Sequence, residues 1–216
     1  MKKGYSTVTL HGEHMDEPML ADLGRLRMQV FRDYPYLYDG DATYEQEYLR
    51  RYLDSEDSHF ILVFDNVIDQ LVGATTCLPL KDEAAEFRNP LEEAGFDISQ
   101  IFYFGESVLL PEWRGQGLGK FFFDIRESHA RELGYPITSF CAVDRPPNHP
   151  MQPESYRPLD GFWQKRGYEK QDNIKANFPW KEVGDQDESD HLMTFWLRHW
   201  EPLPKLKSDP NEILSP

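Results

Sequence analysis

Two features of the sequence could do chemistry. Arg114-Gly115-Gln116-Gly117-Leu118-Gly119-Lys120 sets three glycines at alternate positions and follows them with a lysine. Glycine has no Cβ and tolerates positive φ, so a ligand can come close to the backbone there. Leu118, Phe122, Ile125, His129 and Leu133 then recur at helical spacing, so the loop opens a helix. The first N–H groups of a helix lack internal partners and carry partial positive charge. A glycine loop at that point is an anion site suited to a pyrophosphate, and Lys120 adds a full charge. The second feature is Glu106. It lies mid-strand in Ile101–Leu110, among Phe102, Phe104 and Val108, which share its face if side chains alternate. A carboxylate in apolar surroundings keeps its proton longer and suits a general base. The alternative is a glutamate paired with an arginine, and a bulge would turn Glu106 to the other face.

Two nucleotide loops fail on specific residues. A Walker loop counted back from Gly119-Lys120 finds Arg114 where its first glycine belongs and Phe121 where Ser or Thr would hold magnesium. A dinucleotide fingerprint started at Gly115 finds Lys120 at its last glycine.

Pro111-Glu112-Trp113-Arg114-Gly115-Gln116-Gly117-Leu118-Gly119 resembles the acyl-CoA signature of the GNAT superfamily of N-acetyltransferases, Arg/Gln-x-x-Gly-x-Gly/Ala after a strand. Phe162-Trp163-Gln164-Lys165-Arg166-Gly167-Tyr168 resembles the short late helix of that family. The resemblance covers Phe102 to Tyr168 well and the flanks only by element order. It implies an α+β fold, with a mixed, mostly antiparallel sheet splayed at the fourth strand and helices on both faces in three layers. It implies acetyl-CoA as co-substrate, held by Arg114 to Lys120 and by backbone groups near Val108 and Leu109. It also implies transfer to a primary amine by direct attack on the thioester. Most alkyl amines are protonated at pH 7, so a base is useful, and Glu106 is the candidate. The pattern departs from the family at Trp163, which stands where many members carry a proton-donating tyrosine; an indole N–H is no practical acid. Tyr156 and Tyr168 are nearby in sequence. Cys141 as an acyl-carrying nucleophile is the weaker idea.

The elements that must position these groups can be outlined. The length, 216 residues, suits one substantial domain, taken here as 1–200 with a polar, proline-rich tail at 201–216. Ser6–Leu10 reads as a strand. Pro18–Arg32 and Thr43–Leu53 read as helices, the second entered through a Thr43-x-x-Gln46 capping box. The aromatic turn between them carries Tyr34, Tyr36 and Tyr38, which wall an acceptor pocket or pin the loop to the core. His59–Phe64 and Leu71–Leu80 form a hairpin. The polar stretch 81–100 reads as an insertion, reshaping a pocket or making a subunit contact such as a homodimer's. Ile137–Val143 is a strand, Asp144–Pro153 a proline-dense loop, and Leu159–Arg166 a short helix. Ile174–Val183 and His191–Trp200 are a final strand pair.

Composition narrows the partners. Net charge is −15, from 23 basic and 38 acidic side chains, which argues against nucleic acid and suits a cationic substrate. Cys77 and Cys141 sit in apolar runs and read as buried free thiols. No apolar run reaches transmembrane length and no signal peptide is evident, so a cytoplasmic protein off the membrane is expected. His11-Gly-Glu-His14 lies in a polar stretch, and no metal site is expected. Apart from a globular α/β domain whose glycine turn is only structural, two readings stand beside the leading one of a small-molecule N-acetyltransferase. One is an acetyltransferase for peptide or protein amines. The other is a CoA-binding module without turnover, which Trp163 motivates.

Overall fold

The computed structural model describes residues 4–201; most of the predicted tail, 201–216, lies outside them. Seven strands form one sheet: β1 (Tyr5–His11), β2 (His59–Asp65), β3 (Gln70–Pro79), β4 (Ile101–Leu109), β5 (Ile137–Val143), β6 (Glu169–Lys181) and β7 (Glu188–His199). Their order is β1-β2-β3-β4-β5-β7-β6. Every neighbouring pair is antiparallel except β4 and β5. Among the described residues five α-helices accompany the sheet: α1 (Glu17–Phe31), α2 (Ala42–Leu53), α3 (Ala85–Glu93), α4 (Leu118–Glu132) and α5 (Asp160–Lys165).

The parallel pair is short. β4 and β5 are in register only from Ile101–Ile137 to Tyr103–Ser139. Beyond that β4 stays with β3, and β5 stays with β7 as far as Val143. The sheet therefore forks at Tyr103, as the resemblance implied for the fourth strand.

Alternation along β4 and β5 sorts the helices into two layers. Phe104 lies beneath the Arg126 guanidinium of α4, and Phe140 packs on Phe123 of α4 and Trp163 of α5. On the opposite face a Cβ at Gly105 would collide with the Tyr52 hydroxyl of α2. Tyr103 there meets Phe87 of α3 and the Cys141 thiol. So α4 and α5 cover one face, and α1, α2 and α3 the other.

Two expectations shift. The cap of α2 is Asp41, not Thr43: its carboxylate accepts from the N–H groups of Thr43 at 3.0 Å and Tyr44 at 2.9 Å. Aspartate is the stronger cap, and it reaches two orphan donors at once. The last two strands begin earlier than expected, because β6 absorbs a register shift between Gln171 and Lys175 and so reaches back to Glu169. The polar 81–100 stretch is structured, with α3 at its centre and Phe87 and Leu91 buried.

Candidate active site

The glycine loop sits where β4 gives way to α4. A single helical turn, Pro111–Trp113, ends with Trp113 buried in the core. The chain then reverses through Gly115 (φ +75°) and Gly117 (φ +92°), a region that side chains with a Cβ rarely enter. Gly117 is the N-cap of α4, with no side-chain cap and no acidic residue in the first turn. Phe121 is the first residue to bond back, to the Gly117 carbonyl at 3.0 Å. The N–H groups of Leu118, Gly119 and Lys120 therefore have no partner within the helix. Gly119 has ordinary helical backbone, and a Cβ there would meet open space. Leu118 turns its side chain into the core, so only its backbone faces outward. Lys120 is exposed, 3.8 Å from Asp124. Arg114 donates from Nε to the Leu109 carbonyl at 3.1 Å, which ties the loop to the end of β4. Val108 is buried and Leu109 partly so.

Glu106 lies on the other face of the sheet from Phe102 and Phe104. The register between β3 and β4 shifts from Thr75–Ser107 to Cys77–Phe104, leaving Gly105 and Glu106 opposite one residue. This bulge turns Glu106 toward α1 and α2, onto the face of Tyr103. The expected grouping with Phe102 and Phe104 is therefore corrected, and the arginine pairing is present. Arg27 of α1 holds Glu106 with Nη1 and Glu45 of α2 with Nε. All three are buried, at 7 %, 5 % and 1 % exposure for Arg27, Glu106 and Glu45. The other oxygen of each carboxylate, Oε1, is buried, with Tyr38 beside Glu45 and Thr76 beside Glu106. One guanidinium cannot neutralise two buried carboxylates. Burial accordingly lifts the Glu106 carboxyl above the usual glutamate range, Arg27 opposes this, and Glu45 adds to the lift. Burial also disfavours the Arg27 cation, but Glu106 and Glu45 outweigh it and hold the proton firmly.

These carboxylates line a cavity of about 360 Å³ that straddles the fork, with Gly105 and Glu106 on one side and Cys141 on the other. Its walls are aromatic, from Phe31, Tyr48, Phe87, Tyr103 and Trp180 among others. Three distant segments frame it. The α1–α2 loop bonds to the end of β6, Asp39 N–H to the Lys181 carbonyl at 2.8 Å and Val183 N–H to the Leu37 carbonyl at 2.7 Å. Phe87 of α3 packs on Phe178 of β6. Tyr36 and Tyr38 line the cavity, but Tyr34 does not. Its hydroxyl meets Gln152 at 3.2 Å and its ring meets His149 and Tyr156, so it pins the proline-dense loop instead.

The candidate proton donors fall away from this cavity. Tyr168 is buried on the α4 face, bonded to Thr138 at 3.0 Å, and Tyr156 lies against Tyr34. Trp163 packs edge-on against Trp196 and Phe140. Cys141 lines the cavity, but burial pushes its thiol up to about 12 and Tyr103 is its partner, so it is a poor nucleophile at neutral pH. Among the described residues no group of three metal-ligating side chains converges, and no helix is long and apolar enough to cross a membrane.

Comparison with known proteins fits this geometry. The family model for the acetyltransferase (GNAT) family matches residues 25–168, two thirds of the chain. The chain belongs to the GNAT acetyltransferase family. Among curated proteins no sequence matches significantly. Solved structures share the fold at low identity. ElaA of Escherichia coli has a TM-score of 0.52 at 18 % identity over 91 % of this chain and 100 % of that one. An acetyltransferase of the GNAT family from Staphylococcus aureus has a TM-score of 0.55 at 11 % identity over 90 % and 99 %. An acetyltransferase from Streptococcus agalactiae has a TM-score of 0.55 at 10 % identity over 90 % and 98 %. Members of this family use an acyl-CoA donor. This GNAT chain offers an uncapped helix start free of acidic residues and a forked sheet, and both fit such a donor.

Arg27, Glu45, Phe87 and Trp180 escaped the sequence reading. A signal for the first two exists. Arg27 follows Leu23 by four positions and Glu45 precedes Leu49 by four, so each charge sits on the buried stripe of its helix. A charge at a core position is costly unless paired.

Proposed function

We propose that the protein transfers an acetyl group from acetyl-CoA to a primary amine of a small molecule. The observation that carries this reading is the pair of buried carboxylates sharing one arginine beside an aromatic-walled cavity at the sheet fork. Acetyl-CoA brings the activated acetyl thioester. Backbone N–H groups of Leu118, Gly119 and Lys120, with the Lys120 charge, hold its phosphates; Arg114, Gly115, Gln116 and Gly117 shape that loop. Backbone groups of Val108 and Leu109 hold its pantetheine arm. Glu106 takes a proton from the acceptor ammonium, directly or through one water, and its raised affinity for protons suits that task. Arg27 keeps enough positive charge beside Glu106 for the ionised form to exist. Donors of the fork polarise the carbonyl under attack; the C–N bond forms, the C–S bond breaks, the CoA thiolate leaves, and the second amine proton passes through water to that thiolate. Residues 4–201 form one acetyltransferase domain in which the 81–100 insertion supplies a pocket wall, and the site of action is the cytoplasm.

Purified protein mixed with acetyl-CoA and a panel of primary amines should release free CoA well above hydrolysis for at least one amine. No release for any amine or peptide would defeat the proposal. A CoA-binding module without turnover is the second reading, favoured by Trp163 in place of a proton-donating tyrosine. It predicts saturable CoA binding with no release.

A further inference from the structure

We infer that the acceptor is a primary monoamine carrying one compact aromatic or apolar group and no second charge; this rests on the acetyltransferase reading above. The cavity wall asks for one positive charge. Glu45 and Glu106 both belong to cavity-lining side chains, and they share the single Arg27 cation. Two buried carboxylates against one guanidinium leave an excess negative charge, which a singly charged ligand balances. An ammonium supplies that charge, and the acetyltransferase reading makes it a primary one.

The remaining charges at the cavity are committed. Asp39 is bound by Arg32 at 2.9 Å and by Lys181 at 2.7 Å. Asp41 caps α2. Arg27 is consumed by the two glutamates. Glu188, the one other acidic residue of the lining, is exposed and hence screened by water. A distal ammonium, as in a polyamine, therefore finds no buried carboxylate. The α-carboxylate of an amino acid finds no uncommitted cation among the described lining residues. An aromatic body, by contrast, meets Phe31, Tyr48, Phe87, Tyr103 and Trp180, and ring contacts add to what burial alone supplies. A volume of about 360 Å³ lies at the small end of ligand sites. A space of that size holds a compact amine more fully than an extended peptide.

The test compares kcat/KM by CoA release for 2-phenylethylamine, spermidine, L-phenylalanine and a tripeptide with a free N-terminus. The expected result is a preference of about 10-fold or more for 2-phenylethylamine over each of the others. Trp180→Ala should raise its KM at least about 5-fold with kcat largely kept, since that ring binds and does not react. A preference for spermidine, the amino acid or the peptide overturns the inference and leaves the acetyltransferase reading standing. If no amine is turned over, that reading falls and the ligand class is decided by calorimetry with 2-phenylethylamine. Binding that both Glu45→Gln and Trp180→Ala weaken by about 10-fold upholds the class. No binding to the wild-type protein overturns it.

Discussion

The two ends of the site are made of different materials. The α4 end is backbone: the loop Arg114 to Lys120 runs through seven consecutive residues, mostly exposed, shaped by two positive-φ glycines and a helix start. The cavity end is side chain. Arg27 stands 18 positions from Glu45 and 79 from Glu106, and all three are buried. A backbone site holds charge through fixed dipoles and needs no buried ion. A side-chain site places full charges out of water, and each must be matched. Binding at the first end can thus be altered with little effect on the fold. At the second end, chemistry and stability are bound together.

Four measurements would break or sharpen that contrast. Glu106→Gln should have the largest effect, lowering kcat/KM by about 10²- to 10⁴-fold while acetyl-CoA affinity, measured calorimetrically, changes little. A loss of acetyl-CoA binding instead would show that the two ends are not independent. Arg27→Met leaves two buried carboxylates facing each other, and urea unfolding should show a loss of about 3–5 kcal/mol. Adding Glu45→Gln and Glu106→Gln to it should restore most of that. Gly119→Glu introduces a carboxylate into open space at ordinary helical backbone. It should weaken acetyl-CoA binding by about 100-fold, yet leave the melting temperature unchanged or slightly raised, because a negative charge favours a helix start by about 0.3–1 kcal/mol. Unchanged acetyl-CoA affinity would remove the α4 start from the site.

The smallest effect concerns pH. Glu106 holds its proton above the usual glutamate range, so the acid limb of kcat/KM should lie above about pH 4.3 and vanish in Glu106→Gln. Stability should carry a separate acid limb. His59 is pushed down to about 4 by burial, and by His129 stacked at 3.6 Å and His11 edge-on at 4.4 Å. A histidine whose folded-state pKa is depressed stabilises the protein above its unfolded value near 6.5, and that contribution is lost as pH falls toward 4. Since His59 is only partly shielded, the loss between those values is about 1 kcal/mol, and His59→Phe should flatten it in urea titrations.

Legibility in the sequence follows the same division. The glycine loop was readable because its parts adjoin, and the strand–turn–helix around it could be seen by period alone. The forked sheet was reached through the family resemblance, and β4 and β5 indeed part after Tyr103. The face of Glu106 turns on one extra residue at Gly105–Glu106, which reverses the alternation; Gly105 inside the strand is the local sign of such a bulge, but a lone glycine does not fix where the register shifts. Nor was the Arg27–Glu45–Glu106 group, whose members meet only through packing of α1 and α2 on the sheet. Tyr34, Tyr36 and Tyr38 looked alike in sequence. Two reach the cavity and one does not, a separation that depends on where the loop meets Gln152 and His149.

The fork has a consequence for where the sheet can be extended. Past Tyr103 the flank of β4 that faces β5 pairs with no strand among the described residues. A bare strand flank invites pairing with another chain of amide groups. This flank lies in the middle of the sheet order, whereas β1 and β6 stand at its perimeter. A narrow chain suits such an interior flank better than a second sheet does.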